Sequence, residues 1–290
     1  MKRAIAILCM VLPGLLFALG ATVDVDSLRF MLNTDGTASV TECLYTSTPE
    51  IAIPATVSDG TTTYAVTAIG NQVFRQCTFI TAVTLPQSIT SIGNYAFEYC
   101  TLRSIALPEG LKTIGGYAFH DCDYLKEVTL PASLTSLGTY TFWYCDSIET
   151  VTFLGNNDVE LLGESQFSMM KRLRNVRLPD GLTLVTRSMF YGCDSLKSID
   201  LSNTQVTEMR PYAFYTAKTL KEVKLPVTLE SIGDNAFHSC GNLETISYPG
   251  SEAVSYGSGH TAGGDIHRFF RIPLLQQYKV CRLSRRTHVD

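Results

Sequence analysis

The chain has 290 residues, of which 45% are hydrophobic and 17% are charged, and its formal net charge is −4. This composition is typical of a folded protein and excludes an intrinsically disordered chain. The slightly acidic balance gives no reason to expect nucleic acid as a partner.

The first element in chain order is a predicted targeting segment, residues 1–20. Lys2 and Arg3 form a positively charged start, residues 4–19 form an apolar run, and Ala18-Leu19-Gly20 offers small residues for cleavage. The run is short for a membrane-spanning helix, and no later segment reaches the roughly 18 apolar residues that a span needs. We therefore predict a cleaved signal peptide rather than a retained anchor, and an exported mature chain without a transmembrane span.

Residues 21–65 precede the first complete repeat. LRFML at 28–32 and TASVTECLY at 37–45 flank the sequence NTDG, which predicts a β-hairpin with a glycine-containing turn. IAIPATV at 51–57 copies the strand half of the repeats that follow. Because an uncovered first coil would leave an unpaired sheet edge, we interpret residues 21–65 as an N-terminal cap.

Residues 66–250 repeat one unit eight times. Its phenylalanine recurs at spacings of 22 to 25 residues, at Phe74, Phe97, Phe119, Phe142, Phe167, Phe190, Phe214 and Phe237. Each copy continues into a segment such as LKEVTLP at 125–131, whose alternating apolar residues indicate a strand with one buried face. One unit cannot bury its apolar side alone, so we predict a repeat solenoid, α/β-type or mainly β, of about eight coils with parallel strands side by side.

A cysteine ends the motif in six copies, at Cys77, Cys100, Cys122, Cys145, Cys193 and Cys240. Met170 and Ala217 hold the position in the other two copies, which favours a small-to-medium apolar side chain there. Exported proteins often form disulfides. Stacked, parallel Cβ vectors hold two sulfur atoms poorly for bonding, however, so buried free thiols are favoured over disulfides. The long spacing is unlike that of zinc ligands, and we predict no metal and no cofactor.

The position after the motif phenylalanine carries histidine in two copies, His120 and His238. The other copies place Arg75, Glu98, Trp143, Ser168, Tyr191 and Tyr215 there. This variation predicts an exposed position without a catalytic role. The chain also lacks a nucleophile elbow, a phosphate-binding loop and a dinucleotide fingerprint, and His260, Asp265 and His267 in a glycine-rich stretch are interpreted as solvated rather than as a metal site.

The pattern LPxxLxxIGxxAFxxCxxLxxVxLP resembles the treponema-type leucine-rich repeat of BspA-like bacterial surface proteins, over about residues 50–250. The resemblance implies a right-handed leucine-rich-repeat solenoid of 22–25-residue coils with a parallel sheet on its concave side. It also implies binding at the cell surface, to host matrix proteins or to other cells. The family offers no common set of ligand-binding residues to transfer.

Residues 251–290 depart from the repeat. They begin with the glycine- and serine-rich stretch SEAVSYGSGHTAGGD and carry six Lys or Arg against three Asp or Glu. We expect an irregular or flexible basic tail. A segment that contacts a membrane or a partner, and an altered reading frame, remain open alternatives.

Two surfaces are candidate ligand-binding sites. Outward-facing residues of the predicted strands become charged in the later coils, at Asn175, Arg177, Asp200, Glu222 and Lys224. Their alternating charges are also typical of a stabilising ladder. An aromatic row lies beside the AF segments, at Tyr99, Trp143, Tyr144, Tyr191 and Tyr215. Such a row suits the anchoring of a protein or glycan ligand, or packing between coils.

The predicted function is therefore binding rather than catalysis. We expect an adhesin-like protein, at the cell surface or secreted, whose partner is an extracellular protein or glycoprotein. One alternative is a structural spacer in a cell-surface assembly. An enzyme with a site in a loop is disfavoured, because even the most enlarged coil, which contains LGNNDVE at 154–160, is only two residues longer than usual and leaves little room for a site.

Overall fold

The computed structural model describes residues 20–44, 48–155, 159 and 161–250, with backbone only at 161–162, and the backbone of two further strands at 255–256 and 279–282. The predicted signal peptide up to residue 19 and most of the predicted tail, with His260, Asp265 and His267, lie outside the described residues. The described chain contains strands and turns and no helix. The repeat solenoid is confirmed, and of the two classes predicted it is the mainly β one.

Six strands precede the second coil. They are β1 Thr22–Val25, β2 Leu28–Leu32, β3 Thr37–Cys43, β4 Glu50–Ala52, β5 Thr56–Ser58 and β6 Thr63–Ile69. β2 and β3 form the predicted antiparallel hairpin, and β1 adds to it on the other side of β2. β3 then pairs in parallel with β6, which joins the hairpin to the solenoid. The predicted β-hairpin cap is thus confirmed.

The solenoid strands are short. They are β7 Ala82–Thr84, β8 Ser91–Ile92, β9 Thr113–Ile114, β10 Glu127–Leu130, β11 Ser136–Leu137, β12 Thr150–Phe153, β13 Leu161–Leu162, β14 Asn175–Arg177, β15 Leu184–Val185, β16 Ser198–Asp200, β17 Glu208–Met209, β18 Glu222–Lys224, β19 Ser231–Ile232 and β20 Thr245–Tyr248. Two more strands follow, β21 Ser255–Tyr256 and β22 Lys279–Arg282. β22 pairs antiparallel with β20 at the end of the stack.

The coils contribute strands to two separate parallel series, although residues 102–108 contribute none to the first. The first series carries the Val or Ile of the repeat and includes β4 with β7, then β10-β12-β14, then β16-β18-β20. We call its outward side chains, from β7 to β20, the strand face. The second series runs from β6 through β8, β9, β11 and β13, and again from β15 through β17 and β19 to β21. Equivalent residues pair one coil apart, as Val128, Val151 and Val176 do.

A third ladder joins the turns around the motif phenylalanine, which we call the AF turns. In one AF turn the backbone N–H groups of Tyr95, Phe97 and Tyr99 donate to carbonyl groups of the next coil, at 2.7 to 3.0 Å. Three such hydrogen bonds occur at each of the seven junctions between motif phenylalanines. Every second amide can point the same way because the residues on both sides of the Ala-Phe pair adopt positive φ, as at Tyr95 (56°) and Tyr99 (58°).

The core of the solenoid is a column of aromatic rings. All eight motif phenylalanines are fully buried, and successive rings stack with centroids 5.1 to 5.9 Å apart. Such offset stacking adds to the burial of large apolar side chains. Each coil is therefore held to the next by core packing and by the AF-turn ladder.

The first strand series is interrupted at two places. β10 does not pair with residues 104–107 of the coil before it, and β16 does not pair with β14. The inward residues at these places, Ile105 and Val176, are partly exposed, whereas their six equivalents in other coils are buried. The strand face is thus divided into blocks although the AF-turn ladder runs through all eight coils.

Candidate binding surfaces

The charged residues of the strand face meet in one ion pair. Asp200 on β16 and Lys224 on β18 are register partners, and Lys224 Nζ lies 3.1 Å from Asp200 Oδ2. The hydrogen bond to Asp200 raises the pKa of Lys224. Burial opposes ionisation of Asp200, but hydrogen bonds from Ser202 and Lys224 hold its pKa below the ordinary value. Both charges are exposed, so the pair contributes little to stability.

The other charged residues of this surface are separated by the interruption between β14 and β16. Asn175 and Arg177 lie on β14, and both are exposed. Arg177 forms no ion pair with any residue that the structure describes. The predicted ladder of Arg177, Asp200 and Lys224 therefore contains only its Asp200–Lys224 rung. Glu222 is partly buried between register partners on β16 and β20.

The predicted aromatic row forms two clusters. Tyr191 stacks on Tyr215 with ring centroids 5.2 Å apart, and Tyr215 stacks on His238 at 4.9 Å. In the earlier coils Trp143 and Tyr144 contact each other at 4.8 Å, and both contact His120 of the preceding coil, with ring centroids 4.9 and 6.4 Å apart. The two clusters are separated by the coil that carries Ser168 and Met169 instead of aromatic residues. Packing between coils thus involves Trp143, Tyr144, Tyr191 and Tyr215 directly.

A buried charged group lies under the first aromatic cluster. The side chain of Glu98 is 6% exposed and that of His120 is 8% exposed, with His120 Nδ1 3.0 Å from Glu98 Oε1. Arg75 Nε donates to the other oxygen of Glu98. Trp143 covers the histidine, with ring centroids 4.9 Å apart and an interplanar angle of 15°.

The prediction that this position is exposed is therefore wrong for Glu98, His120 and Ser168, which are buried. Its variation along the chain has a different cause. Several of these side chains pack on their equivalents one coil away, so the residue types vary in matched pairs, as with Arg75 beside Glu98 and His120 beside Trp143.

A second aromatic column, which was not predicted from the sequence, lies against Trp143 of the aromatic row. Tyr95, Tyr117 and Tyr140 stack in order at 5.0 and 4.9 Å. Tyr99, which is 39% exposed, contacts the edge of His120. The signal was the tyrosine that comes directly before the Ala-Phe or Thr-Phe pair in three successive copies. Together these rings form a continuous aromatic surface over three coils.

The cysteine column has a polar role as well as an apolar one. In five coils the cysteine Sγ donates to the carbonyl oxygen of the motif phenylalanine in the preceding coil, at 2.8 to 3.1 Å. The seven cysteines whose side chains are described are all free thiols. Burial raises the pKa of Cys100 and Cys240 to about 12, which keeps these thiols protonated as donors at neutral pH.

A comparison with family models matches residues 56–160 and 155–256 to the BspA type leucine rich repeat region. The match spans more than half of the chain. The chain belongs to this family. It is thereby a leucine-rich-repeat protein of a family of bacterial surface-type proteins, and proteins built from such repeats are generally non-enzymatic scaffolds. No curated protein matches the chain significantly.

Two solved structures with TM-scores above 0.5 show the same architecture. A leucine-rich repeat protein from Bacteroides ovatus is 26% identical, with a TM-score of 0.69 over 83% of this chain and 69% of that one. The pneumococcal vaccine antigen PcpA is 19% identical, with a TM-score of 0.52 over 82% of this chain and 78% of that one. The Treponema pallidum leucine rich repeat protein is 26% identical, with a TM-score of 0.45 over 81% and 85%.

Within the described chain, no helix is long and apolar enough to cross a membrane. The same residues bring no three His, Cys, Asp or Glu side chains together in a metal-binding arrangement.

Proposed function

We propose that this protein acts at the cell surface or after secretion, where the strand face binds an extracellular protein or glycoprotein. Asn175, Arg177, Asp200, Glu222 and Lys224 contact the ligand, and no chemical step is involved. One observation carries the proposal. Arg177 is an exposed cation without an ion-pair partner among the described residues, and the neighbouring block of the same strand face presents the Asp200–Lys224 pair.

The support is physical. Arginine is enriched at binding hot spots, because its planar guanidinium forms directed hydrogen bonds at a low entropic cost per bond. The backbone of each strand is held in register by at least one neighbouring strand, so little ordering is needed when a ligand binds. The polar strand face therefore suits many weak contacts over several coils.

The test measures binding of residues 21–290 to immobilised matrix proteins and mucins. The test variant changes Arg177, Asp200, Glu222 and Lys224 to serine. A matched control changes Arg29, Glu42, Glu208 and Arg210 to serine, which also removes two cations and two anions from exposed ion pairs. We expect saturable binding by the parent and the control, and at least a tenfold loss of affinity in the test variant.

Two results would contradict this assignment. Equal losses in the test variant and the control would show that the strand face is not the ligand surface, and Tyr99→Ser together with Tyr191→Ser would then examine the aromatic clusters. No saturable binding by a folded parent would favour the alternative role of a structural spacer in a cell-surface assembly. Export is checked separately, by recovering the protein outside the cytoplasm with a new N-terminus near residue 21.

A further inference from the structure

One coil of the solenoid is shorter than the rest. A single residue separates Cys100 from Leu102, whereas two residues separate the equivalent positions in every other copy. Residues 103–104 still reach the preceding coil, through a hydrogen bond from Arg103 N to Thr81 O and a bridge between Ala82 and Ser104. Residues 105–108 form no backbone hydrogen bond with the described coil on either side.

The short coil opens a groove in the strand face. Within the described chain no backbone hydrogen bond joins residues 103–108 to residues 126–131, so the edge of β10 that faces the short coil has no partner strand. The groove measures about 400 Å³, which is within the usual range of ligand pockets. Its apolar lining comes from Ile105, Leu107, Pro131 and Leu154, and its acidic lining from Glu109 and Glu127.

We propose that this groove binds an extended peptide segment that carries basic side chains, which adds to the free edge of β10 as a further strand. An unpaired strand edge supplies backbone donors and acceptors to such a segment, and alternate side chains of the segment enter the groove. The partly exposed Ile105 and Leu107 receive aliphatic side chains, while Glu109 and Glu127 select lysine or arginine over acidic residues. This inference rests on the proposed function and names the kind of partner segment.

The probe is a fluorescent five-residue peptide of alternating valine and lysine, titrated into the full chain. A peptide with glutamate in place of lysine tests the charge, and one with N-methylated valines tests the backbone pairing. We expect saturable binding of the lysine peptide, and affinities at least tenfold lower for the other two. Binding of the lysine peptide weakens as salt is added, because the Glu109 and Glu127 carboxylates lie near the surface.

Three variants locate the binding. The double variant Glu109→Gln with Glu127→Gln lowers the affinity for the lysine peptide roughly tenfold. Ala106→Trp fills the groove from the strand face. Insertion of one serine between Thr101 and Leu102 restores the usual coil length and thereby closes the groove. Both variants abolish peptide binding. The matched control, Asp180→Asn with Glu244→Gln, removes two exposed carboxylates from other coils and leaves binding unchanged.

The proposal is overturned if the lysine peptide fails to bind, or if it binds equally to the Ala106→Trp and serine-insertion variants. Its failure is distinguishable from that of the proposed function. Matrix-protein binding that survives both groove variants would retain the strand face as a binding surface and reject the groove. Peptide binding without any matrix-protein binding would retain the groove and reject the proposed ligand class.

Discussion

At the scale of single residues, the repeat cysteine combines two properties that few other side chains offer together. It is small and apolar enough for a fully buried position between coils, and its thiol donates to the phenylalanine carbonyl one coil earlier. That carbonyl already accepts the backbone N–H three residues on in its own coil, as Phe119 does from Cys122. The thiol therefore donates to the second lone pair of this buried carbonyl oxygen. Ala217 shows that the size requirement can be met without the hydrogen bond.

Exchanging cysteine and alanine at this position should measure the contribution of the thiol hydrogen bond to the free energy of unfolding. Cys145→Ala loses the 3.0 Å bond to Phe119 O and leaves a small cavity, so we expect a loss of about 1–2 kcal/mol in the free energy of unfolding. Ala217→Cys gains a donor toward Phe190 O, and we expect a gain of about 0.5–1 kcal/mol. Urea unfolding checks both changes. Destabilisation by Ala217→Cys would show that size alone governs the position.

Backbone strain at Thr216 is a second property of a single residue. Thr216 has a φ of 58°, a left-handed conformation that is unfavourable for a β-branched side chain, and the equivalent residue one coil earlier is Gly192. Thr216→Gly relieves about 1–2 kcal/mol of strain and adds less than 1 kcal/mol of unfolded-state entropy, so we expect a net gain of about 0.5–1 kcal/mol. Thr216→Ala retains the Cβ atom and serves as the control. If the glycine variant unfolds at lower urea than the alanine variant, the strain is not a significant cost.

At the scale of elements, the AF turn decides which side chains are buried. Its alternating backbone conformation directs every second amide to the next coil, and side chains at equivalent positions stack along the solenoid. A charged residue in such a column is buried because its neighbours in the stack cover it, even though a charged side chain is usually exposed. Glu98 is tolerated because Arg75 and His120, one coil away on either side, bind its two oxygens. This pairing satisfies the requirement that a buried carboxylate has partners.

Removal of Glu98 should be more costly than removal of Arg75, its partly exposed partner. Glu98→Ala leaves His120 buried beside a cavity and Arg75 without its acceptor, so we expect a loss of about 3 kcal/mol in the free energy of unfolding. Arg75→Ala removes a side chain that is 41% exposed but leaves one oxygen of the buried Glu98 carboxylate without its cation, so we expect a smaller loss of about 1–2 kcal/mol. Thermal unfolding of both variants measures the difference. A larger loss in Arg75→Ala than in Glu98→Ala would show that His120 alone does not support the buried carboxylate.

At the scale of the whole molecule, the period of the repeat was sufficient to predict the solenoid, the buried phenylalanines and the parallel strands, because these follow from local spacing and alternation. The hairpin of the cap followed from its turn sequence. The burial of Glu98 could not be predicted in this way, since it depends on which residues stack one coil away. The groove beside residues 104–107 has a visible cause in the missing residue after Cys100. Beside the interruption between β14 and β16, the coil that carries β16 is one residue longer than usual, because Phe190 and Phe214 are 24 residues apart.

Stacked coils contact only their neighbours, so the cost of a core substitution should depend on its position in the stack. Phe142 stacks on two rings, Phe119 at 5.1 Å and Phe167 at 5.9 Å, whereas Phe237 stacks on one described ring, Phe214 at 5.3 Å. We expect Phe142→Ala to lower the free energy of unfolding by about 4 kcal/mol and Phe237→Ala by about 3 kcal/mol. We also expect hydrogen exchange to localise the effect of Phe237→Ala to the last coils, while Phe142→Ala accelerates exchange on both sides. Equal costs with uniform exchange would show instead that the solenoid unfolds as one cooperative unit, in which the phenylalanine column couples distant coils as strongly as adjacent ones.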